Sequence, residues 1–152
     1  MVTPSPEALA FIRSQRVARL ATADASGQPH AVPVCFAYDG ERFFSAIDQK
    51  PKSAAPLRLK RIRNILANEN VALVLDRYRE QWDRLAYLMV QGTARVIESG
   101  PAQERAIALL REKYTQYRAM ALEAAPVIEI TPRRFIQWGA VGVEETWEAE
   151  EP

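Results

Sequence analysis

Lys50 and Lys52 are the residues of this chain best placed to hold a charged ligand. They stand between a strand-like run at 43–48 and a basic helix carrying Arg58, Lys60, Arg61 and Arg63. A helix N-terminus presents free N–H groups and a partial positive charge, and two nearby ammonium groups add full charges. With Ser45 and Ser53 as neighbouring hydroxyl donors, the segment suits a phosphate carried by a cofactor or substrate. Most lysines are simply solvated, and only their position between a strand end and a helix start raises these two above that background. The chain has no Gly-rich phosphate loop of the dinucleotide or Walker type.

A second pattern lies in the strand read at 29–38. Val32, Val34, Phe36 and Tyr38 fall on one face and suit a core, while Ala31, Pro33, Cys35 and Ala37 fall on the other. Something flat could lie against that small face, or a helix could pack closely on it. Pro33 cannot donate to a sheet ladder and implies an edge or a departure from regular pairing. Trp82 and Trp138 are the aromatic candidates for a pocket wall, with ordinary packing as the plainer reading. His30 is the sole histidine and reads as structural or exposed. Cys35 is the sole cysteine, so the chain has no internal disulfide and no Cys-based metal site. Asp76 and Asp83 flank a loop without other support, and no Ser-His-Asp or Cys-His pattern is present. No side chain stands out as acid, base or nucleophile, so an enzyme built this way takes its chemistry from a cofactor.

The elements that must position these residues follow from patterning. The 152 residues are 48% hydrophobic and 26% charged, which fits one globular domain rather than a disordered chain. Twenty basic and nineteen acidic residues give a net charge of +1, which argues against a general nucleic-acid binder. The charge is uneven: residues 50–63 hold six Lys or Arg and no acid, and residues 144–151 hold five Glu. One domain over 1–140 with an acidic, solvated tail over 141–152 is expected. There is no apolar run of membrane-spanning length and no signal-like start, so a cytoplasmic protein is expected.

Ser5 and Pro6 suit the start of a short helix bearing Leu9, Phe11 and Ile12. Strands are expected at 17–23, 29–38 and 42–48, with Asp39-Gly40 as the hairpin between the last two. A helix at 56–67 presents Leu59, Ile62 and Leu66. The apolar run 71–75 reads as a strand covered on both sides. A long strand at 85–98 carries Gly92, which suggests a bulge. Gly100-Pro101 opens a helix with Ile107, Leu110, Tyr114 and Tyr117 on one stripe, and 127–131 is the last strand. Six strands joined mostly as hairpins, with about three helices, favour a mainly β, α+β architecture: an antiparallel barrel with helices outside.

The order of these pieces resembles the flavin- and deazaflavin-binding split β-barrel family related to pyridoxamine 5′-phosphate oxidase, over nearly all of residues 6–140. RVARLAT at 16–22 and GQPHAVPVCF at 27–36 are similar to its first two strands, and FSAIDQKPK at 44–52 to its phosphate segment. RIRNI at 61–65, NVALVLD at 70–76 and VQGTARV at 90–96 follow in the family's order. The loop WDRL at 82–85 and the late FIQW at 135–138 resemble the branch of oxidoreductases that use the deazaflavin F420.

The resemblance implies a six-stranded FMN-binding-type split barrel and a homodimer with cofactor at the interface. It places the ring along Pro33, Val34, Cys35 and Phe36, and the phosphate on Lys50 and Lys52 with Ser45 assisting. Trp82 or Trp138 would come from the partner subunit. The Arg-x-His motif of true pyridoxamine phosphate oxidases is missing near the C-terminus, so that specific activity is not expected. The leading expectation is an F420-dependent hydride-transfer enzyme acting on a small molecule, with no bound metal, nucleic acid or membrane partner. An FMN-dependent oxidase or reductase, or a non-catalytic flavin or haem carrier, is the alternative.

Overall fold

The computed structural model describes residues 2–48 and 58–143. The elements are α1 (Pro6–Ser14), β1 (Ala18–Ala23), β2 (Pro29–Val34), β3 (Ala37–Tyr38), β4 (Phe43–Ala46), α2 (Lys60–Ala67), β5 (Asn70–Arg77), β6 (Ala86–Ile97), α3 (Pro101–Lys113) and β7 (Val127–Gly139). All strand pairs are antiparallel and form one sheet of seven strands in the order β2-β1-β5-β6-β7-β4-β3. The expected mainly β architecture with outside helices is therefore present, with seven strands instead of six.

The extra strand has a simple origin. The run 29–38, expected as one strand, is interrupted at Cys35 and Phe36. Its first half pairs with β1 at one edge of the sheet, and its second half pairs with β4 at the other. One short segment thus joins the two edges, curling the sheet into a barrel that is open at the break. Pro33 lies in the edge strand β2, where its missing N–H costs no ladder bond.

Inside the curl, alternate residues of each strand meet. Leu20, Leu73, Leu75, Leu88, Val90, Ile128 and Ile130 are all buried, together with Phe36 and Phe43. Helix α1 closes one side with Phe11 and Ile12, and α2 contributes Ile62 and Ile65. Each such side chain stabilises the fold by about 1.5–3 kcal/mol. A second core lies between α3 and the β3–β4 hairpin, built from Ala37, Phe44, Ala106, Ile107, Leu110 and Tyr117.

Local chemistry explains the element ends. The Ser5 hydroxyl accepts the Ala8 N–H at 3.1 Å, with Pro6 in the first turn of α1. The Asp39 carboxylate accepts the N–H groups of Glu41 and Arg42 at 2.8 and 2.7 Å, and Gly40 takes φ +101° in the same turn. A register shift falls at Gly92 as expected, between Gln91 and Gly92, but the extra residue, Arg133, lies on the facing strand β7. Gly92 pairs with Pro132, and the shift lets β7 continue past a proline to Gly139, eight residues beyond the expected end at 131.

Three further expectations shift. Helix α2 begins at Lys60, so its buried stripe runs through Ile62, Asn64 and Ile65 while Leu66 is exposed. Strand β5 alternates buried and half-exposed residues rather than being covered on both faces. Helix α3 stops at Lys113, and Tyr117 reaches the core from a following 3-10 turn (Thr115–Ala119).

The chain remains tied down to Val143. Val141 is buried in the core. The buried Arg77 guanidinium donates to the carbonyls of Arg84 (3.0 Å), Ala140 (2.5 Å) and Val143 (3.2 Å). The acidic residues 144–152 lie outside the described residues. Among the described residues, no helix is long and apolar enough to cross a membrane.

Candidate functional site

The break between β2 and β3 leaves Phe36 without a strand partner on its N–H. The Tyr114 phenol fills that role: its oxygen accepts the Phe36 N–H at 3.0 Å. Its own proton is shared between the carbonyls of Arg16 (2.8 Å) and Phe36 (3.0 Å). One side chain therefore ties the C-terminal end of α3 to the strand break and to the start of β1. Burial pushes this phenol up to about 12, so it stays protonated and donating at any ordinary pH. Tyr114→Phe is expected to cost about 1–3 kcal/mol, because it strips a partly buried backbone N–H of its partner. Urea denaturation would read this directly, and an unchanged midpoint would mean that water replaces the phenol at no cost.

Beside it, the Tyr117 hydroxyl donates to the Asp48 carboxylate. Burial raises this phenol first, and the carboxylate raises it further, so the proton rests on Tyr117 Oη. Cys35 approaches both tyrosines. Arg61, in the first turn of α2, lies near Asp48 and Tyr117; burial lowers its pKa, and those two neighbours offset the shift. Its Nε is buried and has no hydrogen-bond partner. A buried guanidinium N–H left unpaired costs free energy, and an anionic oxygen is the group that would satisfy it.

Asp48 and Arg58 are the last and first described residues on either side of 49–57. Lys50, Lys52 and Ser53 lie outside the described residues.

Of the other predicted residues, Pro33 is exposed, Val34 and Phe36 are buried, and Cys35 is half-buried. Ala37, the next residue on the small face, is buried under α3. The two readings of that face divide along its length: Ala31 and Pro33 lie open, while Cys35 and Ala37 permit a helix to approach. Ser45 is buried in β4. Pro33 and Val34 thus lie on β2, Cys35 and Phe36 at the strand break, and Ser45 on β4.

Trp82 and Trp138 lie elsewhere. Trp82 is 72% exposed in the 3-10 turn between β5 and β6. Trp138 is 52% exposed and stacks on Tyr87, with ring centres 5.8 Å apart and planes 18° from parallel. His30 is half-buried on β2 with its Nδ1 buried and unpaired. No group of three or more His, Cys, Asp or Glu among the described residues could hold a metal ion.

The sequence pattern does not point to Tyr114, Tyr117 or Asp48 at this place. The two tyrosines look like a continuation of the α3 stripe, and only the end of the helix at Lys113 turns their hydroxyls to other uses.

Comparison with known proteins matches this arrangement to a family. The model of the pyridoxamine 5′-phosphate oxidase family covers residues 4–139. The 5a,11a-dehydrotetracycline/5a,11a-dehydrooxytetracycline reductase of Streptomyces rimosus is 30% identical over 135 residues, 88% of this chain and 82% of that protein. Among solved structures, the conserved hypothetical protein Rv2991 of Mycobacterium tuberculosis superposes with a TM-score of 0.72 at 24% identity, covering 96% of this chain and 92% of that one. The haem-storage protein HutZ of Vibrio cholerae superposes with a TM-score of 0.68 at 18% identity, covering 91% and 95%. These two likenesses speak to the fold. With a split seven-stranded barrel, a tyrosine-plugged strand break and a match over nearly its whole described length, the chain belongs to the pyridoxamine 5′-phosphate oxidase family.

Proposed function

We propose that this protein is a cytoplasmic oxidoreductase that transfers a hydride between a deazaflavin of the F420 type and an unsaturated small organic molecule. The observation that carries the reading is the unpaired, buried Arg61 Nε, in the helix that follows Lys50 and Lys52 in sequence. A buried guanidinium N–H without a partner fits an anionic oxygen, and Lys50 and Lys52 precede Arg61 closely in sequence. The similarity to a reductase over most of both chains supports the redox assignment.

In this reading Lys50, Lys52 and Arg61 hold the phosphate, with Ser45 as a further donor. Pro33, Val34, Cys35 and Phe36 form the strip against which the ring lies. A reduced deazaflavin bound there supplies the hydride. The protein's part is to orient the two reactants and exclude water. Asp48 fixes the Tyr117 hydroxyl by accepting its hydrogen bond, which keeps the wall beside Arg61 rigid. A homodimer completes the site. Trp82 and the stacked Tyr87–Trp138 pair, all exposed on one protomer, are the aromatic surface offered to the partner.

FMN is the alternative cofactor, since it carries a phosphate and a flat ring of the same kind. A haem carrier is the other alternative; the half-buried His30 would be its only imidazole ligand. One set of titrations separates the three. F420 is expected to bind tightly and show turnover against a panel of unsaturated acceptors, with a dimer seen by light scattering. Preferential FMN binding, a Soret band on adding haem, or a monomer that binds cofactor fully would each overturn the corresponding part of the reading.

A further inference from the structure

A cavity of about 500 Å³ lies between α1, β3 and α3. Its apolar walls are Ile12, Phe36, Tyr38 and Leu109, with Lys113 on one side. The Lys113 ammonium sits 3.7 Å from the centre of the Phe36 ring and 5.3 Å from that of Tyr114. Ring faces attract a cation but do not neutralise it.

The charged neighbours leave this ammonium without a counter-ion. Arg16 repels it, while Cys35 favours its charge slightly. Burial is the larger effect and brings it down to about 8. Of the cavity's two carboxylates, Asp39 is held in the hairpin by the N–H groups of Glu41 and Arg42, and Glu112 faces solvent. Arg13, the other cation of the lining, is exposed. Among the described residues Lys113 makes no ion pair, and it is the one cation set against the aromatic floor of the cavity.

We infer that this cavity is a binding site for a hydrophobic organic anion, an aryl carboxylate or an enolate-bearing ring, whose charged oxygen pairs with Lys113 and whose body lies against Phe36, Leu109 and Ile12. Phe36 belongs both to this cavity and to the strip proposed for the cofactor ring. The bound anion is accordingly assigned as the substrate of the proposed reaction, and that assignment rests on the oxidoreductase reading. The binding site itself does not. An anion meeting a partly desolvated ammonium gains more than it would in water, and a flat apolar body fills space lined by aromatic and aliphatic carbon.

The test uses the full chain without cofactor, so that its outcome is separate from that of the redox reading. 2-Naphthoate is titrated by calorimetry beside its neutral counterpart 2-naphthamide, with the wild type, Lys113→Gln, Lys113→Arg and Leu109→Trp. Saturable one-to-one binding of the acid is expected, with at least tenfold weaker binding of the amide. Lys113→Gln should lose at least tenfold for the acid and leave the amide unchanged, and Lys113→Arg should recover most of the loss. Leu109→Trp, which fills the cavity while keeping the ammonium, should abolish both. The inference is overturned if the acid does not bind, if acid and amide bind alike, or if Lys113→Gln or Leu109→Trp leaves the acid's affinity unchanged. Thermal melts of each variant check that the fold is intact. Lys113→Gln removes a half-buried, unpaired charge and is expected to melt no lower than the wild type.

Discussion

Gly139→Ala is expected to destabilise the protein by about 3–5 kcal/mol, the sum of left-handed backbone strain and overpacking against a fixed carbonyl. Gly139 has φ +78°, and a Cβ there would stand 2.1 Å from the Leu85 carbonyl oxygen. That oxygen cannot swing aside freely, because it accepts the Ala140 N–H at 2.9 Å. The collision falls where β7 ends against the start of β6, with Gly139 paired to Ala86. It would therefore disturb the neighbouring Tyr87–Trp138 stack and the Trp82 turn as well as the fold.

Gly40→Ala is the control. Gly40 also has positive φ, at +101°, yet nothing lies within 4 Å of its missing Cβ, so only the strain of about 1–2 kcal/mol remains. Gly92→Ala isolates the opposite case: a Cβ 2.3 Å from the Thr131 carbonyl oxygen, without the positive φ. Urea midpoints should rank Gly139→Ala lowest, Gly92→Ala next and Gly40→Ala nearest the wild type. Equal midpoints for Gly139→Ala and Gly40→Ala would show that the β6–β7 register gives way and does not hold the aromatic end of the sheet.

The Gly92 bulge was legible in the sequence because a glycine inside an alternating apolar run has few other reasons to be there. The hairpin at Gly40 and the cap at Ser5 were legible for the same reason: their signals are local. The split of the 29–38 strand was not, since both halves keep the period of a single strand. What interrupts it is a tyrosine 78 positions away that takes the Phe36 N–H. The continuation of β7 past Pro132 was hidden for a similar reason. A proline argues against a strand unless one knows that the strand bulges beside it, at Arg133. At the site, the lysine pair could be read from charge and position. The partners of Asp48 and Arg61 required the second core to deliver Tyr117, and the loss of helical periodicity after Lys113 erased that signal.

The lysine assignment itself yields the largest functional prediction. Lys52→Ala is expected to weaken cofactor binding by roughly ten- to more than a hundredfold, because a charge-assisted bond to phosphate contributes about 1.5–3 kcal/mol. Arg61→Gln should act in the same direction, since it removes the buried Nε–H donor. Lys60→Ala, one residue before Arg61 in α2, should have little effect. The Lys60 ammonium lies 3.8 Å from the Asp24 carboxylate, so it is turned toward the β1–β2 turn. That carboxylate is already held by the N–H groups of Ser26 and Gln28 and by the Ser26 hydroxyl.

Three cations within a dozen residues thus make different predictions although their charge is the same. Fluorescence titration with F420 and with FMN at low ionic strength, where screening is weakest, separates them. Raising the salt should narrow the gap between wild type and Lys52→Ala. Equal losses for Lys52→Ala and Lys60→Ala would mean that the helix attracts the cofactor only through its net charge and that no phosphate sits on Lys52. A loss confined to Arg61→Gln would move the phosphate from Lys52 to the first turn of α2.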